Sequence, residues 1–277
     1  MRSICYAGAE LHSFNGELFV PRKTIHFTTL FVFVIATALS AQDWRSGIPW
    51  ERPVVITPGV NPGDPPSDAV ILFGGKDMSA WDKEWSIENG ELVCVPGKGS
   101  ITTKRQFGSV QLHVEFAVPA KITGKSQGRG NSGVFFGPYE VQILDSYENE
   151  TYYDGQCASI YKQMPPLVNA CRKPGEWQTF DIIFNRPELK IDNGVAVVIR
   201  PAYVTVLHNG VLVVNRHEIL GSTAWHKPPE YEAHEPMLPI KLQDHGNTIR
   251  FRNIWVRAIP DTNVRPEPTR APYFEER

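Results

Sequence analysis

The chain has 277 residues, 42% of them apolar, and its 28 Lys and Arg against 30 Asp and Glu leave a formal net charge of -2 with no long run of either sign. That balance excludes nucleic acid or another polyanion held by bulk charge, and the apolar content suffices for a full core. With 22 Gly and 23 Pro set among short runs rich in Val, Ile and Phe, the expectation is many strands joined by tight turns.

Residues 1–41 read as a leader in which about residues 20–41 have the layout of a secretory signal: basic Arg22 and Lys23, an apolar stretch from Ile25 to Leu39, and small residues before Gln42. The stretch is shorter than the ~20 residues of a spanning helix. The expectation is therefore cleavage near Ala41, export to a periplasmic or extracellular compartment, and no transmembrane segment in the mature chain. Residues 42–67, punctuated by proline, read as an extended linker or a strap lying on the domain. The domain proper is expected over residues 68–260, and residues 261–277 read as a polar tail with little to bury.

From "AVILF" onward strand signals recur. "WSIENGELVCV" predicts a hairpin turning on Asn89-Gly90, "SVQLHVEFAVP" alternates strictly, and "TVLHNGVLVVN" predicts a second hairpin on Asn209-Gly210. Further strands fit "GVFFG", "YEVQILD", "EWQTFDIIFN", "VAVVIR", "LPIKLQD" and "NTIRFRNIWVRAI". Sustained helical periodicity is missing outside the leader, so the predicted fold is all-β, an antiparallel β-sandwich or jelly roll.

The stretch "GNSGVFFGPYEVQILDSYEN" places polar residues inside an apolar strand. Successive side chains of a strand point to opposite faces. Val141 and Ile143 then enter the core while Glu140 and Gln142 face out. In "LPIKLQDHG", Ile240 and Leu242 go in, with Lys241, Gln243 and His245 out. In "TIRFRNIWV", Ile249, Phe251 and Trp255 go in, with Arg250 and Arg252 out. Outer faces of antiparallel sheets are polar by default. These segments, however, collect acid, amide, imidazole and guanidinium groups beside Tyr139, Tyr147 and Tyr161, a mixture suited to sugar hydroxyls and sugar faces.

Of the cysteines, Cys94 alternates with Val93 and Val95 and reads as a small core residue. Cys157 and Cys171 are expected to form a disulfide that closes a loop of 14 residues around Pro165-Pro166, worth roughly 3 kcal/mol.

The motifs "GNSGVFFGPYEVQILDS", "YYDGQCASIYKQMPPLVNACRKPGEWQTFDIIF", "VTVLHNGVLVVN" and "LQDHGNTIRFRNIWVR" closely resemble the 3-keto-disaccharide hydrolase domain family, formerly domain of unknown function 1080. The resemblance covers about Asp68 to Ile259. It implies a concanavalin A-like lectin/glucanase jelly roll and cleavage of 3-keto-glycosides. A ketone at C3 acidifies the C2 proton, so a positioned base removes it while a cation holds the enolate oxygen and the C1 group leaves by elimination. On that chemistry the proton transfers are expected of Glu140 and His245, and oxyanion stabilisation of Arg252 and Lys162. Asn131, Gln142, Tyr161 and Gln243 are expected to orient hydroxyls. Asp145 and Asp244 alternate towards the core face. A bulge would bring Asp145 back beside Glu140 in a pattern like the Glu-x-Asp-x-x-Glu of ordinary glycosidases. Glu140, Asp145, Asp244 and His245 also offer a ligand set for a divalent metal, which the chemistry does not require. The competing expectations are a noncatalytic sugar-binding module and an ordinary endo-β-glucanase.

Overall fold

The computed structural model describes residues 42–261 and 266–276; the leader lies outside them. No described helix is long and apolar enough to cross a membrane. The strands in chain order begin with β1 (Gln42–Arg45), β2 (Val70–Phe73), β3 (Ser86–Glu88), β4 (Glu91–Val93), β5 (Ile101–Phe107), β6 (Val110–Ala117), β7 (Ser132–Phe136) and β8 (Tyr139–Ile143). They continue with β9 (Gln178–Asn185), β10 (Glu188–Asp192), β11 (Val195–Arg200), β12 (Tyr203–His208), β13 (Val211–Glu218), β14 (Leu238–Leu242), β15 (Arg250–Ala258) and β16 (Tyr273–Glu276). Helical structure among the described residues is confined to single 3-10 turns at Ser126–Gly128 and Tyr153–Gly155. One small unit contains β1 paired antiparallel with β16, so segments read as linker and tail each contribute a strand.

The main unit, Trp50–Glu267, is an antiparallel β-sandwich of jelly-roll type. One sheet runs β13-β12-β9-β6-β15-β4-β3, with β2 also on β15, and the other runs β5-β14-β7-β8. Val134, Phe136, Val141, Ile143, Ile240 and Leu242 from the four-stranded sheet are buried against Leu112, Val114, Phe116, Phe180, Ile182 and Phe184 from the larger one. Phe136 and Phe184 stack at 4.5 Å across the seam. Each such side chain contributes on the order of 1.5–3 kcal/mol by leaving water.

Both Asn-Gly hairpins form, Asn89 and Asn209 taking φ of 52° and 53° with positive-φ glycines behind them. Positive φ at both turn residues is what the two-residue hairpin turn demands. A third hairpin, not anticipated, joins β10 to β11 through Asn193-Gly194.

One face assignment is corrected. Trp255 does not enter the core; the register of β15 on β6 shifts between Arg252 and Trp255, where Asn253 has φ of 45°. That bulge returns Trp255 to the outer face, where its indole N–H donates to the Gly63 carbonyl and its ring stacks 5.3 Å from His113. Residues 57–67 thus lie as a strap on the outer face of the larger sheet, closed on itself by Ser67 N–H donating to the Thr57 carbonyl.

Candidate functional site

The outer face of the four-stranded sheet carries a cleft of about 340 Å³. Its floor follows from register. Lys241 on β14 pairs with Phe135 on β7, and Phe135 pairs with Glu140 on β8, so the three side chains stand in one row across three strands. The next row holds Gln243, whose N–H donates to the Gly133 carbonyl, then Gly133 itself, then Gln142. Because Gly133 has no side chain, the Glu140 carboxyl folds over it; a Cβ there would lie 2.3 Å from Glu140 Oε1. Lys241 Nζ sits 3.7 Å above the Phe135 ring.

Glu140 is the one carboxylate among the described residues lining the cleft. It is 6% exposed. Burial raises its pKa to about 8, with the Lys241 charge pulling the other way. Burial correspondingly lowers the Lys241 pKa, opposed by Glu140. The Gln142 amide lies 2.9 Å from Glu140 Oε1 and, with its nitrogen turned that way, donates to both this oxygen and the Ser132 carbonyl. Thr223 locks the strand from the other side, its hydroxyl accepting from Glu140 N–H and donating to the Pro138 carbonyl.

Around this floor stand acceptors and rings. Asn131 donates through its amide to the Gln127 carbonyl and leaves its own Oδ1 buried without a partner, as does Gln243 with its Oε1. Two buried carbonyl oxygens in a cleft wall are costly unless a donor reaches them. Tyr161 shares a 2.7 Å hydrogen bond with Tyr152, and burial first, then that bond, raises its phenol pKa and keeps it protonated. His245 and His226 are exposed at the rim, and Trp225 is 75% exposed beside them.

The structure therefore brings Glu140, Gln142, Asn131, Tyr161, Gln243 and His245 to one cleft and places the other nominated residues elsewhere. Arg252 is on the larger sheet, facing the opposite side of the sandwich, where it donates to Glu115 at 2.6 Å and lies 4.1 Å from the Trp177 ring centre. Alternation turned it outward correctly but on the wrong sheet. Lys162, in a turn at φ of 62°, packs over Tyr152 and beside Asp154 and is not a lining residue. Asp145 is buried in an ion pair with Arg129 at 2.6 Å, and the same guanidinium donates to the Tyr147 and Glu148 carbonyls. Its carboxyl thus serves the loop rather than the cleft. Asp244 accepts from the N–H groups of Gly97, Gly99 and Gly246. Burial works against its charge, yet these donors hold its pKa below the usual range. With Asp145 and Asp244 so committed, the four-residue metal set does not converge. The expected Cys157–Cys171 disulfide is not present in this structure; both are free thiols.

Sequence reasoning missed Phe135, Gln127 and the loop carrying Thr223, Ala224, Trp225 and His226. Alternation turns Lys241 outward, yet nothing in the sequence singles it out; it is the one Lys or Arg in the lining of this cleft among the described residues. The loop has no periodicity to read, and only its isolated Trp could have marked it.

The family described as the 3-keto-alpha-glucoside-1,2-lyase-like domain matches residues 68–257. A candidate glycosyl hydrolase from Parabacteroides distasonis is 46% identical, covering 76% of this chain and 93% of its own, with a TM-score of 0.71. Two further candidate glycosyl hydrolases of that organism share the fold at 18% and 24% identity, each with a TM-score of 0.50; they cover 70% and 69% of this chain and 94% and 99% of their own. No curated protein matches the chain. With its matched segment spanning nearly the whole sandwich and its cleft, the chain belongs to the 3-keto-alpha-glucoside-1,2-lyase-like domain family.

Proposed function

We propose that the protein is an exported carbohydrate-active enzyme that cleaves 3-keto-glycosides by proton abstraction at C2. The family and the glycosyl hydrolase neighbour support a carbohydrate-active enzyme of glycosidase type. The observation that carries the finer reading is the one carboxyl lining the cleft among the described residues, the buried Glu140, whose pKa is raised to about 8 beside Lys241. A lone base of that strength suits removal of a proton next to a ketone.

In this mechanism Glu140 takes the C2 proton and Lys241 holds the enolate oxygen that forms at C3. The electron pair then closes the C1–C2 double bond and expels the glycosidic oxygen, which receives a proton from His245 at the rim. Addition of water across the double bond completes a net hydrolysis. Asn131 and Gln243 accept from sugar hydroxyls through their unpartnered oxygens, and Gln142 keeps the Glu140 carboxyl aimed. Lys241 and Glu140 stand two strand spacings apart, about 9–10 Å between backbones, and the Lys241 ammonium lies over the Phe135 ring, so the sugar meets the acid and the cation from the open side of the cleft.

An endo-β-glucanase needs two carboxyl groups, roughly 5–5.5 Å or 6.5–9.5 Å apart, and the cleft lining supplies one. A noncatalytic sugar-binding module is the second reading, favoured by the exposed Trp225. Incubation with a 3-keto-disaccharide separates them. Release of both sugars, with solvent deuterium appearing at C2, supports the enzyme; retained binding without turnover would establish the module.

A further inference from the structure

We propose that Cys157, Cys171 and His208 form a binding site for a thiophilic cation of the Zn2+ type, outside the cleft and independent of its reaction. The two sulfurs and an imidazole nitrogen lie within 4.8 Å of one another. Three chain segments deliver them: Cys157 follows the Tyr153–Gly155 turn, Cys171 precedes β9, and His208 ends β12.

The imidazole is prepared as a ligand. Gln178 Oε1 accepts from the Arg172 N–H at 3.0 Å, which fixes it as the acceptor facing His208 Nε2 at 2.8 Å. Nε2 therefore carries the proton, and Nδ1 keeps the lone pair. Metal-bound histidines are oriented in this way by a carbonyl on the other ring nitrogen. Phe116 and Phe180 hold the ring on two sides.

Two sulfurs and one nitrogen form a set that Zn2+ accepts with a fourth position open. Metal–ligand bonds of about 2.0–2.3 Å place ligand atoms some 3.5–4 Å apart, so closure needs shifts of about an ångström at most. Cys157 and His208 are buried and Cys171 is half-exposed, which puts the fourth position and the route of entry at Cys171. Binding breaks two S–H bonds, releases two protons, and forms two metal–sulfur bonds and one metal–nitrogen bond. It needs no oxidant, whereas a disulfide between the same sulfurs needs a two-electron acceptor.

The test uses the reduced full chain with Zn2+ and Co2+ as probes. The expected result is one equivalent bound, about two protons released, protection of both thiols from alkylation by Zn2+, and a thiolate-to-Co2+ charge-transfer band. Cys171→Ser, at a half-exposed position, loses the band and at least tenfold in affinity. The proposal is overturned if folded, reduced wild type gives no stoichiometric Co2+ spectrum, or if Cys171→Ser binds equally well. Recovery of a Cys157–Cys171 disulfide from the chain isolated from its native compartment overturns it too.

Discussion

Glu140 and Gly133 fit together as a carboxyl and the space left for it: the acid lies across the backbone of the neighbouring strand where any Cβ would come within 2.3 Å of its oxygen. The backbone of Gly133 imposes no positive φ, so Gly133→Ala is conformationally permitted and acts through contact alone. It displaces the carboxyl, and kcat/KM on a 3-keto-disaccharide should fall ten- to a hundredfold, about 1.4–2.7 kcal/mol in transition-state stabilisation. The expected change in Tm is a few degrees. An alanine variant with wild-type kcat/KM would show that the carboxyl's position is immaterial.

The pH dependence has a defined sign. Glu140 acts as a base only when ionised, so activity should rise through about pH 8 and decline again where Lys241, its pKa lowered by burial, loses its proton below the usual 10.5. Stability runs the other way. The folded-state pKa of Glu140 is raised above its ordinary 4.5, so its contribution is fully present below about pH 4.5 and is lost as pH rises towards 8, by up to about 4–5 kcal/mol. Glu140→Gln should abolish turnover and flatten unfolding free energy between those limits; denaturant titrations at pH 5 and pH 9 check it.

Lys241→Met and Arg252→Gln should diverge. The first removes the cation above Phe135 and should lower kcat at least a hundredfold. The second removes a partly exposed pair with Glu115 on the far sheet, worth under about 1 kcal/mol, and should leave kinetics unchanged. Loss of turnover in the arginine variant would refute the assignment of oxyanion stabilisation to Lys241.

These contrasts mark what the sequence could show. Alternation located Glu140, Gln142 and Gln243 because Val141 and Ile143 on β8 and Ile240 and Leu242 on β14 all enter the core, which sends their polar neighbours to the other face. The same rule turned Arg252 outward, but a sandwich has two outer faces and period-2 patterning cannot tell them apart; that needs the strand order. Trp255 was misassigned because a bulge at Asn253 reverses parity without leaving a mark in hydrophobicity. Trp225 and Thr223 belong to a loop whose position depends on tertiary hydrogen bonds to Pro138 and Glu140.

Asp145→Asn should act on stability alone. It leaves the Arg129 guanidinium buried without its carboxylate, a loss of roughly 3–5 kcal/mol and on the order of 10 °C in Tm. Calorimetry measures the shift, and kcat per folded molecule should be unchanged.

Trp225→Ala should raise KM about tenfold with Tm unaffected, since the ring is 75% exposed and contributes little to packing. A fall in kcat at constant KM would instead place the ring at the reacting centre.

The phenyl ring of Phe135 has a role that neither of its charged neighbours could fill. Among the described residues Lys241 and Glu140 form no direct ion pair, and the ring between them in the row blocks the shortest route to one. A cation and an acid free to collapse together would neutralise each other at rest, and the incoming ketone would first have to prise them apart. Phe135 acts as an insulator, keeping both poles available before the sugar arrives.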